Sequence, residues 1–164
     1  MSKTHHYACN LEWTGNRGLG TAGYRTYDRD ARCPLPCKAD IPLSSDPAFR
    51  GDPTRANPEE LLVASLSSCH MLWYLHLCAE AGVVVTAYRD AATGTMEEMD
   101  GGSGRFTEVI LRPAVMVMHS SMVKKAEELH EMAHRMCFIA NSVNFLVKAE
   151  PEVRSEPGME DRVG

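Results

Sequence analysis

The stretch Asn57-Pro-Glu-Glu-Leu61, running on through an uncharged segment as far as Ala79 and closed by Gly82, decides the reading of this chain. Asn57 is an N-cap residue, Pro58 has the φ of a first helical position, and Glu59 and Glu60 favour the positive end of the helix dipole. Gly82 stops the helix. The segment between them is apolar nearly all round, so it is expected to be buried on most sides. Its length approaches a membrane span. Ser65, Ser67, Ser68, His70 and His76 interrupt it, however, and make it a buried helix of a soluble domain.

Outward from this helix the chain alternates between strands and turns. Residues 6–13 and 24–27 read as strands flanking the glycine turn Gly15-Asn-Arg-Gly-Leu-Gly20. Residues 42–58, with Pro42, Pro47, Pro53 and Pro58, form a structured loop. After Gly82, residues 83–88, 95–99 and 106–118 read as strands, with 100–104 as a hairpin turn. Ser121 caps a second helix whose apolar stripe is Met122, Ala126, Leu129, Ala133 and Met136. Residues 144–153 form a last strand, and a frayed polar tail follows from Glu156. The order predicts one α+β domain over 1–164, with helices packed on an antiparallel-rich sheet.

The composition fits that reading. The chain has 164 residues, 44% of them apolar, a length at which a folded domain removes about two-thirds of its unfolded surface from water. With 17 basic and 22 acidic side chains the net charge is −5, which leaves no basic excess to bind nucleic acid. No apolar leader follows Met1. The six cysteines therefore read as thiols of a cytoplasmic protein and not as a disulfide scaffold.

Three constellations compete for the chemistry. Gly18-Leu-Gly-Thr-Ala-Gly23 matches a dinucleotide fingerprint, but that mechanism needs a helix to start there, and the strand-like Tyr24-Arg-Thr-Tyr27 follows instead. His130-Glu-Met-Ala-His134 matches the zinc motif H-E-x-x-H with Glu131 as general base, yet no histidine follows His134 as a third ligand. A partly solvated surface pair of histidines is the plainer reading. The cysteines are the third. Cys78, in the apolar helix, and Cys9, in a strand, read as core residues. Cys33-Pro-Leu-Pro-Cys37 is neither a redox C-x-x-C nor half a zinc site. Spacing alone does not single out two of the six.

Asn57-Pro-Glu-Glu-Leu61 followed by Ala64-Ser-Leu-Ser-Ser-Cys69 resembles the central-helix signature of the OsmC/Ohr family of thiol-dependent hydroperoxide peroxidases. The segment from Ala133 to Cys137, followed by Ala140-Asn-Ser-Val143, is similar to that family's second-cysteine region. Trp13-Thr-Gly-Asn-Arg-Gly18 is similar to its N-terminal glycine turn. The resemblance spans roughly residues 7–153. It implies the OsmC-like fold, with a long central helix and an intertwined homodimer. It also implies a peroxidatic Cys69, a resolving Cys137 and an active-site Glu59.

The activating arginine is Arg17 if this chain follows the Ohr branch and Arg50 if it follows the OsmC branch. The stiffer, proline-flanked loop favours Arg50. An arginine stays charged and can hold a thiolate, and a glutamate can orient it. Hydroperoxide substrates and an external dithiol reductant are implied, with no cofactor and no metal. Leu66, Met71, Leu72 and Trp73 are candidates to receive an apolar tail or to pack the core. Glu59 stands ten residues before Cys69, about 15 Å along a helix, so it would have to act from a partner subunit. Two other readings stand beside this one: an OsmC-like small-molecule-binding or thiol-sensing protein without turnover, and a zinc hydrolase using His130 and His134.

Overall fold

The structure is a computed structural model that describes residues 3–157. The chain divides into two compact units, one reaching Leu61 and one starting at Leu62.

The first unit carries a small antiparallel sheet of β1 (Glu12–Trp13), β2 (Ala31–Cys33) and β3 (Ile41–Leu43), with β2 in the middle. It is smaller than the sequence suggests. Residues 6–11 form no strand, and residues 24–27 form turns in which Tyr27 alone bridges to Asn16. The aromatic and polar alternation there serves a different purpose. The Arg29 guanidinium lies 4.4 and 4.3 Å from the Tyr24 and Tyr27 ring centroids and donates to both residues' carbonyls, a cation–π clamp in place of a ladder. The glycine turn is built by Asn16, whose side-chain oxygen accepts from the Gly18 and Gly20 amides at 2.9 and 3.0 Å. No helix begins there, so a pyrophosphate would find no helix N-terminus.

The central helix α1 (Pro58–Glu80) opens with a reciprocal capping box. Asn57 Oδ1 accepts from the Glu60 amide at 2.8 Å, and Glu60 Oε2 accepts from the Asn57 amide at 3.1 Å. It closes in a Schellman motif: Gly82 sits at φ +71, and the Val83 amide reaches back to the Cys78 carbonyl at 2.9 Å. Between its ends only Leu66, His70, Tyr74 and Cys78 are buried, one every four residues. The expectation of a helix covered on most sides is therefore corrected. Within one chain α1 buries a single stripe, and Leu72, off that stripe, is 63% exposed. By length and composition alone α1 could cross a membrane.

Two further three-stranded sheets fill the second unit. One runs β4 (Val85–Asp90), β7 (Pro113–Val117), β9 (Glu152–Ser155). The other runs β5 (Thr93–Glu98), β6 (Gly104–Leu111), β8 (Leu146–Ala149). The strands read at 106–118 and 144–153 are each split in two, at Arg112-Pro113 and at Glu150-Pro151. Proline has no amide hydrogen to donate: Pro113 stands as the first residue of β7, opposite Asp90, and Pro151 lies in the gap before β9. β6 pairs in parallel with β8, and β7 with β9, so both long segments pass side by side from one sheet to the other. Asp90 pins this crossover to α1: its Oδ1 accepts from the Arg112 amide at 2.7 Å and its Oδ2 from Ser67 Oγ at 2.6 Å.

Helix α2 (Val123–Met136) follows a 3-10 turn over Ser120–Met122, which puts Met122 at its N-cap in place of Ser121. Two cores result. Tyr74 and Cys78 of α1 pack with Ala126, Leu129 and Ala133 of α2 on Val115, Val117 and Val153, while Leu66 packs with Val109, Leu111 and Val147. At the C-terminal end, β9 runs through Ser155, and Glu156 is still bonded, its amide to the Val117 carbonyl at 2.9 Å and its carboxylate to Thr86 Oγ1 at 2.7 Å. Fraying therefore does not begin at Glu156, and residues 158–164 of the expected tail lie outside the described residues.

Candidate active site

Cys69 lies midway along α1, half-buried and one position before the buried stripe. Cys137 follows the last residue of α2 with φ −66 and ψ 110, where the chain leaves the helix, and it is only 1% exposed. The fold brings the turn that carries Cys137 to the Cys69 groove, whose wall includes the next two residues, Phe138 and Ile139. Burial, and then the bond to Cys69, push the Cys137 thiol up to about 11, while the amides of Ala140 and Ile139 pull the other way. At neutral pH Cys137 is therefore protonated.

Cys69 opens into an apolar groove of about 560 Å³. Leu72, Trp73 and His76 of α1 line it together with Phe138 and Ile139, the residues directly after Cys137. Trp73 meets the Phe138 ring edge-on at 5.5 Å and His76 at 5.8 Å, which stiffens the wall. Of the four residues considered for a tail, Leu72 and Trp73 line the groove, Leu66 is wholly buried in the core, and Met71 lies off the wall.

On the far side of Cys69 lies an arrangement that sequence reasoning missed. His70 Nε2 and His130 Nδ1 share a hydrogen bond of 3.0 Å, their rings lie parallel, and the His130 ring stacks on Tyr74 at 3.8 Å. His130 is 3% exposed, which corrects the reading of His130 and His134 as a solvated surface pair; His134 is half-buried. Nor is the zinc site assembled: among the described residues no three His, Cys, Asp or Glu side chains are gathered to hold an ion. The available signal was that His70 and Tyr74 fall on one helical stripe, with His130 beside Leu129 on the facing one.

Burial holds both imidazoles below their ordinary 6.5, His70 at about 4 and His130 at about 3, with His134 also lowering His70 and Asp90 opposing. An unfolded chain takes up these protons near pH 6.5 and the folded one does not. Their contribution is therefore fully present above pH 6.5 and declines as pH falls towards 4, by up to about 1.4 kcal/mol per pH unit for each ring. Thermal melts from pH 7.5 down to 4.5 are expected to show this loss. The slope should flatten in a His70→Leu/His130→Phe variant, and parallel profiles for the two proteins would refute the assignment.

The remaining site residues belong to the first unit, where the two candidate arginines are held by their own loops. Arg17 donates to the Arg25 carbonyl and pairs with the Asp28 carboxylate at 3.6 Å, so its guanidinium is tethered within the glycine turn. Arg50 ends the 3-10 turn Pro47–Phe49 at φ 68 and is exposed. That loop is firmly bonded: Asp46 Oδ1 accepts from the Ala48 amide at 2.7 Å, and Ser44 Oγ from the Asp52 amide at 3.0 Å. Arg55, two residues before Asn57, was passed over in the sequence; it pairs with Asp30 at 3.3 Å and Asp52 at 3.4 Å. Glu59 stands in the first turn of α1, and one continuous helix keeps it about 15 Å along the axis from Cys69. Cys78 is buried as expected, and burial raises its thiol; Cys9, expected in a core strand, is exposed and outside any strand.

The profile of the family described as OsmC-like protein matches residues 51–152, a span that contains the α1 motif and both cysteines. The chain belongs to the OsmC-like family. Among solved structures, an OsmC-like protein of unknown function from Vibrio cholerae is 30% identical, with a TM-score of 0.80 over 91% of this chain and 100% of that one. An organic hydroperoxide resistance protein from Elizabethkingia anophelis shares the fold at 17% identity and TM-score 0.65, over 94% of this chain and 100% of that one. Another, from Legionella pneumophila, does so at 15% and 0.63, over 92% and 98%. No curated protein matches the chain in sequence. The α+β fold and long central helix of this OsmC-like chain are thus those expected of it.

Proposed function

We propose that this OsmC-like protein is a cysteine peroxidase that reduces organic hydroperoxides. The observation that carries the reading is that Cys69 opens into an apolar groove whose wall, at Phe138 and Ile139, continues directly from the buried Cys137. The Cys69 thiolate attacks the outer oxygen of the hydroperoxide, the O–O bond breaks, and the alkoxide leaves and takes a proton as the alcohol. Cys69 becomes a sulfenic acid. The Cys137 sulfur then attacks the Cys69 sulfur, an S–S bond forms, and the hydroxyl departs as water. A cytoplasmic dithiol reduces the disulfide by exchange, which returns both thiols and closes the cycle.

Several features support the assignment of roles. Burial keeps the Cys137 thiol protonated, so it does not compete with Cys69 as a nucleophile. The groove walls of Leu72, Trp73 and Phe138 suit an alkyl or lipid tail. Arg50, or else Arg17, supplies the positive charge for the thiolate, and Glu59 of a second copy orients it. The uncovered apolar face of α1 suits such two-fold packing.

Steady-state consumption of cumene hydroperoxide with a dithiol as reductant tests the reading. Turnover is expected, and it should survive a metal chelator. A protein that binds the hydroperoxide without consuming it would be the binding or sensing member of the family instead.

A further inference from the structure

Away from the groove, the first unit holds a second pair of thiols in contact. Cys9 Sγ and Cys33 Sγ lie 3.0 Å apart across a sequence separation of 24. Cys33 ends β2 and is 6% exposed, whereas Cys9 is exposed on a stretch with no regular structure. The pair thus has one sulfur fixed by the sheet and one that oxidant can reach. A disulfide needs the sulfurs at about 2.05 Å, roughly one ångström closer than they stand. The Cys9 segment has no ladder hydrogen bonds to resist that movement. Cys37, the other thiol of the proline-rich loop, is exposed at φ 60 and is not the partner that Cys33 touches.

We propose that Cys9 and Cys33 are a second dithiol, independent of the Cys69 reading, which hydroperoxide oxidises to a disulfide. The Cys9 thiolate attacks one oxygen of the peroxide and the O–O bond breaks, leaving a Cys9 sulfenic acid and hydroxide or alkoxide. The Cys33 sulfur attacks the Cys9 sulfur, the S–S bond forms, and water leaves with the Cys33 proton. Two electrons pass to the peroxide and none to a cofactor. The hydrogen bond to Cys9 and burial both raise the Cys33 thiol, which keeps it the protonated partner until Cys9 is oxidised. The new bond closes a covalent loop around the glycine turn, the Arg29 clamp and Arg17, and so restricts the segment that carries one of the two candidate arginines.

The test is non-reducing peptide mapping of the full chain after a few equivalents of hydrogen peroxide, for wild type and for Cys69→Ser. In both proteins a linked peptide joining Cys9 and Cys33 is expected, lighter by two hydrogens, with Cys37 still open to alkylation. Formation in Cys69→Ser separates this pair from the groove, so its presence or absence is read whatever becomes of the peroxidase assignment. In Cys9→Ser, a change at an exposed position, Cys33 should stay reduced under the same treatment. A Cys33–Cys37 link, cross-linking between chains only, or Cys9 and Cys33 both remaining free would each overturn the proposal.

Discussion

Replacing Cys69 with serine is expected to reduce hydroperoxide turnover by about a thousandfold or more, down to the combined rate of the free dithiol and the slower Cys9–Cys33 pair. Serine fills nearly the same volume at a half-buried position of α1, so the fold should hold. Its hydroxyl, however, does not ionise near neutral pH and cannot open the O–O bond. Cys137→Ser should behave differently. It keeps the first attack and, before any dithiol is added, consumes one hydroperoxide at Cys69, which then remains a sulfenic acid with no resolving partner. Undiminished turnover in Cys69→Ser would place the nucleophile elsewhere.

Loss of the arginine proposed to activate Cys69 comes next in size. A neighbouring guanidinium lowers a thiol by a unit or several, and each unit is tenfold in thiolate at a pH below the titration. Arg50→Ala is therefore expected to slow Cys69 alkylation at pH 6 by about 10- to 100-fold. Arg17→Ala should leave that rate unshifted. The support for Arg50 is its loop, where Asp46, Ser44 and Ser45 bond the backbone on both sides. Arg17 is already occupied by Asp28 and the Arg25 carbonyl. A shift in Arg17→Ala with none in Arg50→Ala would reverse the assignment.

What could be read in the sequence followed the range of the forces involved. The ends of α1 are local events within a few residues of Asn57 and Gly82, and both were legible. The approach of the Cys137 turn to the Cys69 groove depends on how α1 meets the end of α2, so spacing carried no trace of it and only the family resemblance suggested the pair. The same distance hid His70 against His130. The breaks at Pro113 and Pro151 were present in the residues themselves, but the apolar runs on both sides masked a change of sheet. Alternation misled at Tyr24 and Tyr27, where two rings face one guanidinium and not a sheet. All-round apolarity in α1 pointed to burial that a single chain does not provide, because one stripe meets the core and positions off it such as Leu72 are exposed.

The most direct measurement of the central claim is a disulfide map of the wild-type protein after one equivalent of an organic hydroperoxide, quenched by acid and alkylation. The expected result is an intrachain bond between Cys69 and Cys137 formed faster than any other, with Cys78 reduced and one equivalent of alcohol released. Oxidation that leaves Cys69 and Cys137 both free, while the hydroperoxide is consumed or another pair closes, would contradict it.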